Sequence, residues 1–269
     1  MRNMFTKVAA AAAILAGAST GAQAYVVLTL TDRNVTTSTN VAQVTCSTFD
    51  VASTAACTGL GFLAVVGGNS ILSGARTVGS YSIISTSASS NTPGNALGAT
   101  TNRSQTEASH TATIGLDVRE LQVDFTAFDY NLPNGANKLL SGSAGFTANL
   151  GAFAALDSVT TFFSVDKFNT GTGATAFVSC TQTGAADFAA GSALAETCPM
   201  GPVPWADTFA PGSLFSMRSI QSYRIAVGSI INSTANSSVT NVPEPMTTAL
   251  VAVALLGVGL ATRRGAKKA

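Results

Sequence analysis

The feature that most restricts how this chain can fold is a series of short runs rich in β-branched and aromatic residues. Clusters of Gly, Asn, Ser and Pro separate these runs, as they separate the strands of all-β proteins. The runs are YVVLTLTD, TVGSYSIIST, ATIGLDV, LQVDFTAF, VTTFFSVD, ATAFVSC and SYRIAVGSII. Because helical periodicity is weak between the two ends of the chain, we predict a mainly β fold, a single β-sandwich of jelly-roll type.

Two segments depart from this pattern. Residues 85–112 have no apolar periodicity and almost no large apolar side chain. They are predicted to form a long polar loop, exposed or partly disordered, and residues 85–108 are predicted to be the most mobile part of the domain. The apolar segment from Gly142 to Leu156 is interrupted by Gly145 and Gly151, which favours a strand followed by a connecting loop.

The N-terminal end has the three parts of a secretory signal peptide. Two basic residues precede an uninterrupted apolar run, residues 8–18, which is too short to span a bilayer comfortably. Small residues follow at Ala22 and Ala24, the two positions that a signal peptidase pocket reads. We therefore expect residues 1–24 to be removed, which would leave Tyr25 as the new N-terminus.

The C-terminal end, residues 241–269, is a second targeting segment. Its apolar run covers residues 246–262 and would extend about 25 Å as a helix, just enough to cross a thin bilayer. The basic tail at 263–269 should stay in the cytoplasm by the positive-inside rule. The rest of the chain would then be exported and held, at least for a time, by this helix. The cations of the tail are Arg263, Arg264, Lys267 and Lys268.

A tetrapeptide stands directly before this apolar run: Val242, Pro243, Glu244 and Pro245. Proline lacks an N–H and biases the preceding residue toward extended backbone, so these residues should lie open to a protease at the outer membrane surface. The alternative is a plain membrane anchor, in which the prolines only end the helix.

The order of a Pro-Glu-Pro motif, a short apolar helix and a basic cluster resembles the PEP-CTERM sorting domain, a segment also named the ice-binding protein C-terminal domain. The resemblance covers about the last 28 residues. It implies a Gram-negative bacterium that makes exopolysaccharide. It also implies recognition and cleavage of the motif by exosortase, a membrane-embedded cysteine protease.

All four cysteines lie between the two targeting segments, in the predicted exported domain of residues 25–240. An even number of cysteines in an oxidising compartment favours disulfides. The spacing favours two local bridges, Cys46 with Cys57 and Cys180 with Cys198, although three connectivities are possible. A metal centre is a poorer interpretation, because the sequence has one histidine and no Cys-x-x-Cys.

Charge and motifs exclude several classes of partner. Residues 25–242 contain eight Lys or Arg and twelve Asp or Glu, so their net charge is 8 − 12 = −4. Without a basic patch, nucleic acid is not an expected partner. The Gly-x-Gly sequences do not continue into a phosphate-binding motif, and no run of acids matches a calcium loop. No cofactor is therefore predicted.

Catalytic signatures are also weak. The sequence has no Gly-x-Ser-x-Gly, and its one histidine, His110, lies in the polar segment and is predicted to be a solvated loop residue. A glycosidase needs two carboxyl groups across a cleft. Asp117, Glu120, Asp124 and Asp129 are close together in sequence, but the ordinary solvated face of a strand is the better explanation of these acids.

The sequence therefore predicts a non-enzymatic protein of the cell surface or extracellular matrix. Its expected partners are signal peptidase and exosortase during export, the membrane through its C-terminal helix, and exopolysaccharide at its destination. The alternative is a secreted hydrolase that acts on glycans and carries the same sorting tail. A cleft with two convergent carboxylates would favour that alternative.

Overall fold

The structure is a computed structural model that describes residues 24–95, 97–111, 118–133, 137–149, 158–183, 193–206 and 213–242. The predicted signal peptide, apart from Ala24, lies outside these ranges. So do the predicted strand at 112–117 and the sorting segment from Pro243 onward. Within the described ranges, no helix has the length and apolar character needed to cross a membrane.

These residues form fourteen strands and one short helix. The elements are β1 (Val26–Asn34), β2 (Thr39–Ser47), α1 (Val51–Gly59), β3 (Phe62–Ala64), β4 (Ser70–Ser73), β5 (Arg76–Val78), β6 (Tyr81–Ser90), β7 (Ala99–His110), β8 (Arg119–Tyr130), β9 (Asn137–Asn149), β10 (Ser158–Asp166), β11 (Ala176–Thr183), β12 (Ala193–Ala206), β13 (Phe215–Arg224) and β14 (Ile230–Asn241).

The strands pair into two antiparallel sheets, which pack face to face as a β-sandwich. Sheet A has the order β11-β10-β13-β8-β1-β2. Sheet B has the order β12-β9-β14-β7-β6-β4-β3, and β5 also pairs with β6. The predicted mainly β sandwich is therefore confirmed at the level of two packed antiparallel sheets.

The alternation of buried and outward-facing side chains along each strand explains why these residues form a two-layer core. In β1, Leu28 and Leu30 are fully buried, whereas Thr29 between them is half-buried on the outer face. In β8, Val123 and Phe125 are likewise buried on either side of Asp124. A period of two residues places one face of each strand against the opposite sheet, so burial of these side chains drives the packing.

The prediction of a long polar loop at 85–112 is wrong. Residues up to Ser90 belong to β6, and those from Ala99 to His110 form β7, which pairs with both β6 and β14. The inward positions hold small or polar side chains such as Ala88 and Thr101, both almost fully buried. The apolar alternation is therefore absent from the sequence, although backbone pairing on both sides of β7 satisfies its hydrogen bonds.

The helix α1 is a second departure from the sequence prediction. Asp50 caps its N-terminus, because the Asp50 carboxylate accepts a hydrogen bond from the Ser53 N–H at 2.7 Å.

The predicted strand SYRIAVGSII is divided between two strands of the structure. Its first part ends β13 in sheet A, its last part begins β14 in sheet B, and the chain crosses between the sheets in between.

The interior between the sheets contains charged residues. Arg119 lies 3.4 Å from the Asp32 carboxylate, which also accepts hydrogen bonds from the Ser80 N–H and hydroxyl. Arg103, which is 2% exposed, donates one hydrogen bond of 3.2 Å to the Tyr223 hydroxyl. The Nε and Nη1 atoms of Arg103 have no hydrogen-bond partner among the described residues.

Both disulfides predicted from the cysteine spacing are present, and each lies at one side of the sandwich. Cys46, on edge strand β2 of sheet A, is bonded to Cys57 of α1, which packs beside β3 of sheet B. Cys180, on the other edge strand β11, is bonded to Cys198 of β12, an edge of sheet B. The two bridges therefore tie the sheets together at opposite open sides.

Candidate functional site

The candidate site is a groove on the outer face of sheet A, with a volume of about 180 Å³. Strands β1, β8 and β13 form its floor, and the loop between β10 and β11 forms one wall. The volume is below the 300–1,000 Å³ typical of pockets for drug-sized ligands, so the groove can hold a small unit of a ligand. Its lining residues are Val27, Thr29, Asp124, Thr126, Phe128, Thr170, Gly171, Thr172 and Arg218.

An ion pair between Asp124 and Arg218 lies on the floor. Sheet registration brings the two strands together, because Arg218 of β13 is opposite Thr126 of β8. Arg218 Nε donates to both Asp124 carboxylate oxygens at 3.0 Å, and Nη2 donates to Oδ2. The hydrogen bond to Asp124 raises the pKa of the Arg218 guanidinium above its ordinary value. The three hydrogen bonds fix the orientation of this ion pair, which has no net charge.

The wall loop, residues 166–175, is organised by the Asp166 carboxylate. This carboxylate accepts hydrogen bonds from the Phe168 N–H at 2.9 Å and the Thr170 N–H at 2.8 Å, and also from the Thr170 hydroxyl. Burial acts to raise the pKa of Asp166, but these bonds and one from the Gly173 N–H outweigh it and lower the pKa. A charged Asp166 therefore holds the wall in a single fold.

A glycine lets this wall approach the floor. Gly171 has a φ of +76°, and a Cβ at this position would lie 2.5 Å from Cζ of Phe128. Any other residue would meet both the backbone strain and the aromatic ring. The Gly171 backbone therefore lies directly against the Phe128 ring at one end of the groove.

A cluster of aromatic side chains extends outward from the Phe128 end of the groove. The rings of Phe128 and Tyr25 are stacked with centroids 4.4 Å apart, and Phe49 contacts Tyr25 edge-on at 4.9 Å. Burial raises the pKa of the Tyr25 hydroxyl, and the negative charge of Asp129 raises it further. A further aromatic residue of the wall loop, Phe168, is 74% exposed.

The structure brings few of the sequence candidates to the groove. Asp124 lies on its floor, and Asp129 lies behind the wall loop, whereas Asp117 is outside the described residues. Glu120 and Asp124 are half-buried on the same face of β8, four residues apart, which corresponds to about 13 Å along a strand. This exceeds the separation of about 5 to 10 Å that glycosidase carboxyl pairs have.

His110 is not a solvated loop residue, so this prediction is also wrong. It ends β7 and is 5% exposed, with its ring stacked on Tyr81 at a centroid distance of 4.8 Å. Its Nδ1 atom is 2.8 Å from the Ile225 carbonyl oxygen. The imidazole is therefore a packed structural group that links β6, β7 and the end of β13.

The two predicted targeting segments join the domain directly at strand ends. Tyr25, the predicted mature N-terminus, immediately precedes β1, and its carbonyl accepts a 3.0 Å hydrogen bond from the Phe128 N–H. Val242 follows β14 and donates a 3.0 Å hydrogen bond to the Asn137 carbonyl. Signal cleavage after Ala24 would leave the aromatic contacts of Tyr25 in place.

Most groove residues carry no recognisable sequence signal. Thr29, Thr126 and Arg218 are isolated polar residues on three neighbouring strands. Only the pairing register of those strands brings them together. The wall loop has a clearer sequence signal, because Asn and Gly, present at Asn169 and Gly171, are typical turn residues. Across the part of the chain that the structure describes, no three His, Cys, Asp or Glu residues are grouped so that they could hold a metal ion.

The outer face of sheet B differs chemically from that of sheet A. The described outward side chains of its central strands are mostly small hydroxyl and amide groups, whereas the cations Arg103 and Lys138 are buried. Ser141 and Ser238 of neighbouring strands are hydrogen-bonded through their hydroxyls at 2.9 Å. The exposed members of this face include Asn102, Ser104, Ser143, Thr147, Asn232, Thr234 and Asn236.

No protein-family model matches the chain, and no curated protein matches it in sequence. Among solved structures, it is similar to a carbohydrate-binding module of the β-sandwich superfamily, with 12% identity and a TM-score of 0.23. That match covers 58% of this chain and only 56% of the module. A carbohydrate-binding module in complex with β-1,4-galactotriose matches with 11% identity and a TM-score of 0.22, over 49% of this chain and 75% of that one.

The cleaved adhesin domain of Lys-gingipain from Porphyromonas gingivalis matches with 10% identity and a TM-score of 0.24. That match covers 65% of this chain and 100% of the adhesin domain. Identities and TM-scores this low carry no functional argument.

Proposed function

We propose that this chain is an exported, non-enzymatic β-sandwich protein of jelly-roll type that binds a neutral glycan in the groove of sheet A. The single observation that carries the proposal is the chemistry of that groove. A fixed ion pair of zero net charge lies among threonine hydroxyls, and an aromatic ring closes one end. Sugar hydroxyls both donate and accept hydrogen bonds, and such a set of groups offers both.

The charge distribution favours a neutral glycan over a polyanion. Asp124 neutralises Arg218 at the site, and the exported segment has a net charge of 8 − 12 = −4. A strongly acidic polymer would be repelled by that surface and would have to compete with Asp124 for the guanidinium. The spacing of Glu120 and Asp124 supports binding rather than hydrolysis at this face.

The sorting route completes the proposed function. The N-terminal segment would direct export, and the PEP-CTERM-like tail would be recognised by exosortase at Val242–Pro245. Val242, the first residue of the motif, follows β14 directly, so the motif would begin where the described domain ends. The protein would then hold exopolysaccharide at the cell surface or in the extracellular matrix.

Affinity electrophoresis tests glycan binding. The protein recovered from the producing cells would be run through gels that contain the exopolysaccharide of the same cells or a neutral plant galactan. We expect Arg218→Gln to weaken binding about 10- to 100-fold, because a hydrogen bond to a charged group contributes about 1.5–3 kcal/mol. Arg33→Gln, which removes a half-buried cation from β1, is the matched control and should bind as the parent does.

Two results would contradict the proposal. The first is an unchanged mobility of the parent protein in every glycan gel. The second is equal retardation of the parent and the Arg218→Gln variant, which would place any glycan contact elsewhere. Circular dichroism of both variants would show that the sandwich is intact. Release of reducing sugar during incubation would instead favour the hydrolase alternative.

A further inference from the structure

The four edges of the two sheets are not equally protected against pairing with another strand. An exposed edge presents unpaired N–H and C=O groups, and natural proteins protect such edges with proline, bulges, charges or very short strands. At one edge of sheet B, strands β3 and β5 have three residues each. Edge strand β12 contains Pro199, Pro202 and Pro204 and has an irregular register between Met200 and Val203.

Edge strand β2 of sheet A is also protected. Its pairing with β1 shifts register between Asp32 and Arg33, where β2 has one extra residue, a bulge at Val41. At its other end, the Ser47 N–H donates to Cys57 Sγ at 3.1 Å, so part of the open edge is covered by the disulfide and helix α1. Only a short central part of β2 remains available.

The remaining edge, β11, has no proline, bulge or charge, and although its Cys180 is bonded to Cys198 of β12, no hydrogen bond among the described residues covers its open backbone edge. It runs for eight residues, AFVSCTQT, without proline, glycine or charge. All eight residues pair with β10 without a register shift. On its outer face, Phe177 is 57% exposed and stacks on Phe162 at a centroid distance of 5.6 Å. Within the described ranges, no backbone hydrogen bond joins β11 to a strand other than β10.

We propose that β11 is a self-association edge, where it pairs antiparallel with β11 of a second copy of this chain. The best partner for an uncharged, regular edge strand is another uncharged strand, because their pairing buries no unpaired charge. Among the edge strands that the structure describes, only β11 combines this length with a regular register and no charge. Pairing of an edge with itself is isologous, so it closes into a two-fold dimer and does not continue into a fibre. This inference is independent of glycan binding in the groove.

A two-fold axis at Ser179 gives a specific arrangement. Ser179 would lie opposite Ser179 of the second copy, and Phe177 would lie opposite Thr181. Aromatic and β-branched residues form favourable cross-strand pairs. Sheet A would then continue across both copies as one twelve-stranded sheet, since each copy supplies its six strands.

Sedimentation equilibrium of the protein recovered from the producing cells tests this arrangement. We expect a concentration-dependent equilibrium between monomer and dimer, with no larger species. Ser179→Lys would place two like charges across the axis and should raise the dimer dissociation constant at least tenfold. Ser143→Lys is the matched control, because Ser143 is an exposed serine on internal strand β9. It should leave the dissociation constant unchanged.

Three outcomes would overturn the inference. They are a monomer at every concentration, equal weakening by both lysine variants, and growth beyond the dimer that Thr45→Lys on β2 abolishes. Amide hydrogen exchange gives a second readout that does not depend on substitution. The backbone amides of β11 should become more protected as the protein concentration rises, whereas those of β12 should not. Unchanged exchange of β11 would count against the pairing.

Discussion

Asp129 and the side chain of Asn169 hold the groove wall to the end of β8 through two hydrogen bonds. Asn169 Nδ2 donates to Asp129 Oδ1 at 2.7 Å, and the Asp129 N–H donates to Asn169 Oδ1 at 3.1 Å. Both residues have left-handed backbone, with φ of +64° and +55°. Asp and Asn tolerate this conformation better than other non-glycine residues. The pair therefore fixes where the wall loop meets the floor.

Substitution of Asn169 separates the contribution of its hydrogen bonds from that of its left-handed backbone. Asn169→Ala loses both hydrogen bonds and adds left-handed strain, so we expect the free energy of unfolding to fall by about 2–3 kcal/mol. Asn169→Gly loses the hydrogen bonds but tolerates the backbone, so its loss should be about 1 kcal/mol smaller. Urea denaturation measures both. Equal losses would show that left-handed strain contributes nothing here.

Asp166 should make the stability of the protein depend on acid pH. Its pKa is lowered in the folded state, so the folded protein binds a proton less readily than the unfolded chain. The contribution of Asp166 is therefore complete above the ordinary pKa of 3.8 and is lost as the pH falls below it toward the folded value. Asp166→Asn removes this titration. We expect the stability difference between parent and variant to narrow as the pH falls below about 3.8, whereas a constant difference would exclude this role.

Arg103→Met is expected to stabilise the protein. The guanidinium is buried with two nitrogen atoms that have no hydrogen-bond partner among the described residues. Tyr223 keeps hydrogen bonds to Gln221 and Ser233 without it. Replacing a poorly paired buried charge by an apolar side chain of similar length should raise the unfolding free energy by about 1–2 kcal/mol. A loss of stability in thermal or urea unfolding would show that Arg103 is better compensated.

Each disulfide should stabilise the domain by a similar amount. The bridges close chain segments with sequence separations of 11 and 18 residues, and a loop of this size corresponds to about 3 kcal/mol in the chain-entropy model. We expect each paired Cys→Ser variant, at 46 and 57 or at 180 and 198, to lose roughly that amount in urea denaturation. Loss of one bridge should leave the other intact, as intact-mass analysis after alkylation would show.

The two parts of the sorting segment should act separately. Replacing Pro243, Glu244 and Pro245 by Ala should leave membrane insertion unchanged, because the apolar run and the four basic residues determine insertion and orientation. We expect a full-length form to accumulate in the inner membrane. Neutralising the basic residues should weaken orientation and retention instead. Normal processing of the triple variant in cell fractions would mean that the segment is only an anchor.

Strands with a strong apolar alternation were predictable from the sequence alone. β1 and β8 alternate large apolar and polar residues, so their identity and inner face follow from local chemistry. The cysteine spacing predicted both bridges for a related reason, since residues that are close in sequence reach each other without a long chain closure. The segments predicted to direct export also depend on local composition, and they remain predictions.

Other features depended on neighbouring strands and on the opposite sheet. The segment at 85–112 has no local signal for strands, and β6 and β7 form because neighbouring strands satisfy their backbone and buried positions accept Ala88 and Thr101. His110 was predicted to be solvated for the same reason, although the ring of Tyr81 and the carbonyl of Ile225 bury it. An apolar side chain predicts burial, but a polar side chain such as His110 gives no such local signal.

The groove and the open edge are the clearest case of what tertiary structure alone decides. Asp124 and Arg218 are far apart in sequence, and their ion pair exists because strand order places β13 next to β8. In the same way, β11 is an edge because, among the described strands of sheet A, β10 alone pairs with it. The sequence by itself determined the strands with apolar alternation and which ends resemble targeting signals, because those properties are local. Strand order determined which residues meet and which strand stays open, because pairing between distant strands leaves no local pattern in the sequence.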